Sequence, residues 1–304
     1  MPSDTELATE PAAIAAEARC SLGEEQRCEL TAFNLENKHE RDEHIHFYPE
    51  KHVYTFGVQP LISVSSLIAK LFPEFDSAKA AARKATPDCP KEKIMEEWDK
   101  QGQEARDAGT FMHRQIELAL LGQPVEKAFH FVYQGKYFRD EKRVDISREL
   151  HMFEQFRAER RLASYRTEWR IYDEVHGIAG TIDYLTKDAE GVYRMFDWKR
   201  TGKMGCEGRQ GFSVTKFNRF GRHAFPPIAH LDDTVYTHYC LQQNLYRYIL
   251  KEHYGIGLAE MFLVVLYPSN SSYHLVEIPV MEEEARRLLD YARNLHAADD
   301  MKKA

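Results

Sequence analysis

A chain of 304 residues, 43% of them hydrophobic, can bury a sizeable core as one large domain or two small ones, and is expected to be globular. Its five cysteines, Cys20, Cys28, Cys89, Cys206 and Cys240, form no C-x-x-C pair, so neither a disulfide framework nor a zinc or iron–sulfur site is indicated. The formal charge of -7 would argue against a polyanionic partner, but twelve acids and only four bases fall within residues 1–50, which leaves the rest of the chain close to neutral.

Residues 1–40 are rich in Ala and Glu and poor in large apolar side chains, and they read as a disordered or loosely helical acidic leader with no chemistry assigned to it. The N-terminus lacks a secretory apolar segment and the acid-poor, Arg-rich character of a mitochondrial transit peptide. No apolar run approaches the roughly 18 residues of a membrane span. A soluble intracellular protein is expected, in the cytoplasm or nucleus rather than the mitochondrion, with no membrane partner. Residues 41–304 read as one domain, helical over about 60–163 and with its core over about 164–280.

"HIHFYPEKHVYTF" alternates around a Pro-Glu-Lys turn as a hairpin does, and "SVSSLIAKLF" opens on serine caps and continues at helical spacing. "ATPDCPKEK" breaks that pattern. From Ile94 a helix runs through "WDKQGQEARDAGTFMHRQIELALLG", with Ala105, Ala108, Met112, Ile116 and Ala119 on one stripe and Gly122 as its stop. "VDISRELHMFEQFRAERRLA" reads as a second amphipathic helix, followed by three strands, "YRTEWRIYD", "GIAGTIDYLTK" and "GVYRMFDWK". A Gly-rich loop with seven bases and one acid over 199–226 leads to the helix "DDTVYTHYCLQQNLYRYILKEHYG". Two strands, "LAEMFLVVLYP" and "YHLVEIPV", and the helix "MEEEARRLLDYARNLHAA" close the chain. This order implies an α/β fold in which helices flank a central mixed sheet, with a helical N-terminal elaboration.

A turn at "DAEG" centres the second and third strands near residue 190 and sets Asp183 and Asp197 opposite each other, where cross-strand Cβ atoms lie roughly 4.5–5.5 Å apart. Asp197 and Lys199 then share one face, and Phe196 and Trp198 take the other. Two like charges so close repel unless a proton or a cation intervenes. A divalent ion with oxygen ligands satisfies the pair, and so does an ion-paired cluster at a sheet edge. Glu168 on the preceding strand, pointing away from Trp169 and Ile171, adds a third acid. His113 and Glu117 are one helical turn apart, as are Gln242 and Tyr246, and each pair is open to an ordinary packing role. The basic loop is either a solvated surface or a phosphate footprint, and Phe212, Phe217, Phe220 and Phe225 within it either stack on bases or pack the loop down.

"E…GTID…FDWK" resembles the PD-(D/E)XK nuclease superfamily, with Gly-Thr-Ile-Asp in place of the Pro-Asp of its name, as in the RecB-like branch. "GTFMH" with Glu117 is similar to that branch's G-T-x-x-H helix, and "QQNLY" to its Q-x-x-x-Y. The likeness spans about residues 45–280 and looks strongest to single-domain members such as the mitochondrial genome maintenance exonuclease and nucleases of large DNA viruses. It implies a restriction-endonuclease-like core that hydrolyses phosphodiester bonds. In that scheme His113, Glu168, Asp183, Asp197 and the carbonyl of Trp198 hold one or two Mg²⁺ or Mn²⁺ ions, and Lys199 orients or activates the attacking water. Gln242 steadies Lys199 or a water, while Thr110, Arg200, Lys203 and Tyr246 contact the nucleic acid. It also implies DNA as the partner, single-stranded or with free ends, in repair or recombination. The cysteines of the iron–sulfur members are missing, so no cluster is expected. Two alternatives stand beside this: an inactive nucleic-acid-binding or scaffold protein that keeps the fold, and an RNA-directed endonuclease.

Overall fold

The computed structural model describes residues 33–48, 51, 53–209, 211–216, 218 and 221–303, the side chains of 296–303 excepted. The expected leader therefore lies outside the described residues as far as 32. Residues 33–36 form a helical turn and Glu40–Glu43 a 3₁₀ turn. Asn34 of the first turn donates to the carbonyl of Thr167 at 3.2 Å and accepts from its amide at 3.0 Å, and Asn37, between the two turns, donates to the carbonyl of Tyr165. These side chains cover the unpaired backbone of an edge strand, which would otherwise be open to pairing with another chain.

The strands β1 (Ile45–Tyr48), β2 (Val53–Phe56) and β3 (Gln59–Ser63) form an antiparallel meander whose hairpin is the one that the alternation predicts. Ser63 then caps α1 (Val64–Ala69) by accepting from the amide of Ser66. After α2 (Ser77–Lys84), the 30-residue α3 (Lys91–Leu120) buries Ala108, Met112 and Ile116 and ends at Gly122, whose φ of +71° suits glycine.

The stretch 128–145 holds a hairpin, β4 (Ala128–Gln134) with β5 (Arg139–Asp145), that the helical reading of 60–163 did not foresee. Phe131 and Tyr133 alternate inward, so the period-2 signal was present. For the same reason α4 (Ser147–Arg160) starts later than Val144, at the point where Asp145 Oδ1 accepts from the amide of Ser147.

β6 (Ser164–Asp173), β7 (Ile178–Lys187) and β8 (Tyr193–Lys199) are the three expected strands. A small hairpin, β9 (Gly205–Gly208) with β10 (Gly211–Val214), occupies the basic loop. Then come α5 (Val235–Tyr254), β11 (Leu258–Val265), β12 (His274–Glu277) and α6 (Glu282–Lys303). The central mixed sheet runs β1-β2-β3-β7-β8-β11-β12, with β6 also on β7. Helices cover both faces. On one, α1, α5 and α6 bring Leu67, Leu245 and Leu288 against Ile171, Ile182 and Leu263. On the other, α3 and α4 bring Met112, Phe153 and Phe156 against Tyr184, Phe196 and Trp198. With both faces covered, β7 is buried almost without alternation from Ile178 to Thr186. Among the described residues, no helix is long and apolar enough to cross a membrane.

Candidate metal centre

The site lies where β7 changes partners. One edge of β7 pairs with β6 along its length. The other pairs with β3 at Ile178 and Ala179 and with β8 only from Tyr184 to Lys187. The ladder with β8 thus stops at Tyr184↔Phe196, one pair before the expected Asp183↔Asp197. From there β8 runs on parallel to β11, with Asp197 opposite Leu263 and Lys199 opposite Val265. The aspartates therefore stand on the two arms of a fork, and a side chain closes it: Asp183 Oδ2 accepts from the amide of Trp198 at 2.8 Å.

His113 approaches this fork from α3. Its Nε2 lies 3.0 Å from the carbonyl oxygen of Trp198, so an Nε2–H donates there and Nδ1 is the ring nitrogen that faces the carboxylates. Nδ1 is 3.5 Å from Asp183 Oδ2 and 3.9 Å from Glu168 Oε1. The three ligand atoms all lie within 4.8 Å of one another. Glu168 Oε1 is shielded from solvent and, among the described residues, makes no hydrogen bond. Two carboxylate oxygens and an imidazole nitrogen so close repel unless a proton or a cation intervenes, and a set of two oxygens and one nitrogen fits a divalent ion.

Glu168 is held there at a cost. It lies in β6 at φ +48°, a left-handed conformation that costs a side-chain-bearing residue about 1–3 kcal/mol. Burial and the nearby Asp183 carboxylate push its carboxyl well above the usual range. Strain and charge repulsion thus fall together on one residue that lines the cleft.

Asp197 and Lys199 stand beside this group and not within it. Asp197 is 2% exposed. Its Oδ2 pairs with Lys199 Nζ, and its Oδ1 accepts from Gln243 Nε2 at 2.9 Å. Burial, reinforced by Asp183 and opposed by Lys199, pushes the Asp197 carboxyl up to about 6. Lys199 loses solvation by burial, but Asp197 and Asp183 hold its ammonium above the ordinary lysine range, so it is a fixed cation at neutral pH. The ammonium also sits 4.5 Å over the ring of Tyr239. A cleft of about 470 Å³ opens onto the group between α3, β1–β2 and β6–β7, with Thr110 exposed at its rim and Phe47, Tyr54 and Thr181 on the facing wall.

Other expected residues fall elsewhere. Gln242 donates to the hydroxyl of Tyr246 at 3.0 Å, and it is its neighbour Gln243 that reaches the site. Tyr246 is 4% exposed, and its ring fills the space beside Gly180, where a Cβ would come within 2.3 Å of it. It therefore packs α5 on β7 and presents no surface to a strand. Arg200 is spent on the fully buried Glu149 of α4, 2.7 Å from Nε to Oε1. Lys203 is exposed on the loop before β9. Phe212 stacks on His274 with ring centroids 4.3 Å apart, Phe225 is exposed, and Phe217 and Phe220 lie outside the described residues. Gln243, Tyr239 and Tyr54 had no sequence signal beyond Gln243 adjoining the Q-x-x-x-Y.

Asp173, Glu174 and His253 form a second close group. Its carboxylates already have partners: Asp173 has His176 Nδ1 and two backbone amides, and Glu174 has the guanidinium of Arg41. It is a clasp joining the β6–β7 turn to α5 and the 3₁₀ turn.

No family model matches the chain, and no curated protein matches it. Among solved structures it is similar to the crystal structure of SSO0001, at 12% identity and a TM-score of 0.29, over 90% of this chain and 87% of that one. It is also similar to a "putative exonuclease" from Eubacterium rectale, at 15% identity and a TM-score of 0.26, over 47% of this chain and 49% of that one. At such identities and scores neither likeness assigns an activity.

Proposed function

We propose that the chain is a divalent-metal-dependent nuclease that hydrolyses phosphodiester bonds of DNA, acting on single-stranded ends as an exonuclease. The observation that carries this reading is the convergence of His113, Glu168 and Asp183, with one ligand atom of each within 4.8 Å of the others, at a cleft and beside the half-buried Lys199. His113, Glu168 and Asp183 would hold Mg²⁺ or Mn²⁺, with Asp197 and the carbonyl of Trp198 next to them. When bound, such an ion supplies Lewis acidity toward a phosphate oxygen and a water of lowered pKa.

The remaining work falls to the chain. Lys199, pinned by Asp197, presents a positive charge where the phosphate becomes more negative, an effect typically worth on the order of 10²–10³ in rate. Asp197, fixed by Gln243, sets the direction of that ammonium. Trp198 joins both halves, since its amide holds Asp183 and its carbonyl holds His113. The preference for DNA ends rests on the resemblance of the motifs.

The test incubates the protein with Mn²⁺ or Mg²⁺ and DNA labelled at either terminus, single- or double-stranded, with a ribo-oligonucleotide arm and an EDTA control. Metal-dependent laddering from one terminus is expected, absent in Asp183→Ala. Equal cleavage by Asp183→Ala, or none under any metal, overturns the reading.

A further inference from the structure

We infer that Arg170 and Phe47 form a subsite for one nucleotide of an unpaired strand, Arg170 taking a phosphate and Phe47 stacking on a base. This rests on the nuclease reading and names what the cleft recognises.

Arg170 lies two residues beyond Glu168 in β6, opposite Thr181 of the cleft wall, and is exposed. Among the described residues its guanidinium has no ion pair. The neighbouring arginines are neutralised: Arg114 by Glu117 and Arg166 by Asp42. Arg170 and Arg166 line a recess of about 140 Å³ that shares Glu168 with the cleft, so the two cavities adjoin at the strained residue. An acidic group suited to a cation thus has at its shoulder a guanidinium that, among the described residues, no carboxylate pairs with. A phosphodiester chain matches that alternation, one phosphate at the acidic group and the next against Arg170, whose planar fork suits two phosphate oxygens.

Phe47 supplies the second half. Its ring lines the cleft, lies 5.7 Å from the Arg170 guanidinium, and is braced by Tyr54 at a centroid distance of 4.5 Å. Tyr54 is fixed in turn by Thr181, hydroxyl to hydroxyl at 2.9 Å. A braced ring beside a phosphate-binding arginine is the pairing that holds single strands, where a base offers its face. In a duplex both faces are covered by the neighbouring base pairs.

The experiment measures binding of fluorescent oligonucleotides by anisotropy with Ca²⁺ at a fixed concentration, for the wild type, Arg170→Ala, Arg170→Lys, Phe47→Leu and Phe47→Tyr. Deoxy and ribo strands, blunt duplex, and strands with one abasic position walked from the end are compared. Arg170→Ala should lower the slope of log affinity against log salt by about 0.7, the loss of one single-strand phosphate contact, and Arg170→Lys should restore most of it. Phe47→Leu should bind intact strands about 5- to 150-fold more weakly, and Phe47→Tyr should recover. At one abasic position wild type and Phe47→Leu should bind alike. Blunt duplex should be insensitive to both substitutions.

An unchanged salt slope in Arg170→Ala, or equal affinities of Phe47→Leu and wild type for intact strands, overturns the subsite. Thermal stabilisation by Mn²⁺, measured on the same proteins, separates the failures. If it persists while the variants bind as wild type does, the subsite alone is wrong. If the wild type shows neither metal stabilisation nor strand binding, the nuclease reading falls and the subsite with it.

Discussion

Gln243 Nε2 donates to Asp197 Oδ1 at 2.9 Å, a buried hydrogen bond between the middle of α5 and the end of β8. It leaves Asp197 with only one oxygen for Lys199, and so fixes where the ammonium points. Gln243→Leu should cost about 1.5–3 kcal/mol, the usual worth of a hydrogen bond to a charged group. The Asp197 carboxyl, at about 6 with the glutamine in place, should rise without its donor. The acid limb of the cleavage pH profile should then move to higher pH, and chemical denaturation gives the stability loss independently.

Lys199→Ala should abolish detectable turnover and also destabilise the fold in a pH-dependent way. Removing one member of a buried ion pair typically costs about 3–5 kcal/mol, because the remaining charge stays buried. With the Asp197 carboxyl near 6 or above, protonation relieves that charge in acid. Denaturant midpoints should therefore show a larger deficit at pH 8 than at pH 5. A deficit independent of pH would mean that Lys199 contributes packing and not charge.

Glu168→Gly should move stability and metal response in opposite directions. Glycine accepts φ +48° without strain and removes a like charge from Asp183, for a net gain of about 1 kcal/mol after its backbone entropy cost. The same change removes a ligand atom. At 100 times the dissociation constant a bound ion stabilises the wild type by about 2.7 kcal/mol, and the variant should lose most of that. Melting curves with and without Mn²⁺ read both effects.

Asp173 contributes to acid stability. Burial by itself would raise its carboxyl, but hydrogen bonds from His253 and His176 hold it down at about 2, against 3.8 in a free chain. A carboxyl lower in the folded state releases its proton more readily there, so its stabilisation is complete above pH 4 and fades as pH falls through 2. The shift is worth about 2 kcal/mol. Asp173→Asn should lose that amount at pH 7 and flatten the stability profile between pH 4 and pH 2, as monitored by urea unfolding.

The sequence by itself determined the three central strands, their turn near residue 190, the serine cap of α1, and the glycine stops of α3 and α5. Each of these is local, set by periodicity, by glycine, or by a side chain bonding its own backbone neighbours. It also placed Asp183, Asp197, Lys199, Glu168 and His113 on elements that could meet. What only the tertiary structure decided is which atoms do meet. The β7–β8 ladder opens one pair early while β8 stays paired with β11 to Lys199, so Asp183 bonds the amide of Trp198 in place of pairing across the ladder with Asp197. The register of α5 on the sheet, set by Tyr246 seating against Gly180, gave the inward position to Gln243 and not Gln242. Such choices depend on packing between segments far apart in the chain, where a rotation of one helical residue exchanges the partner and no local pattern records the difference.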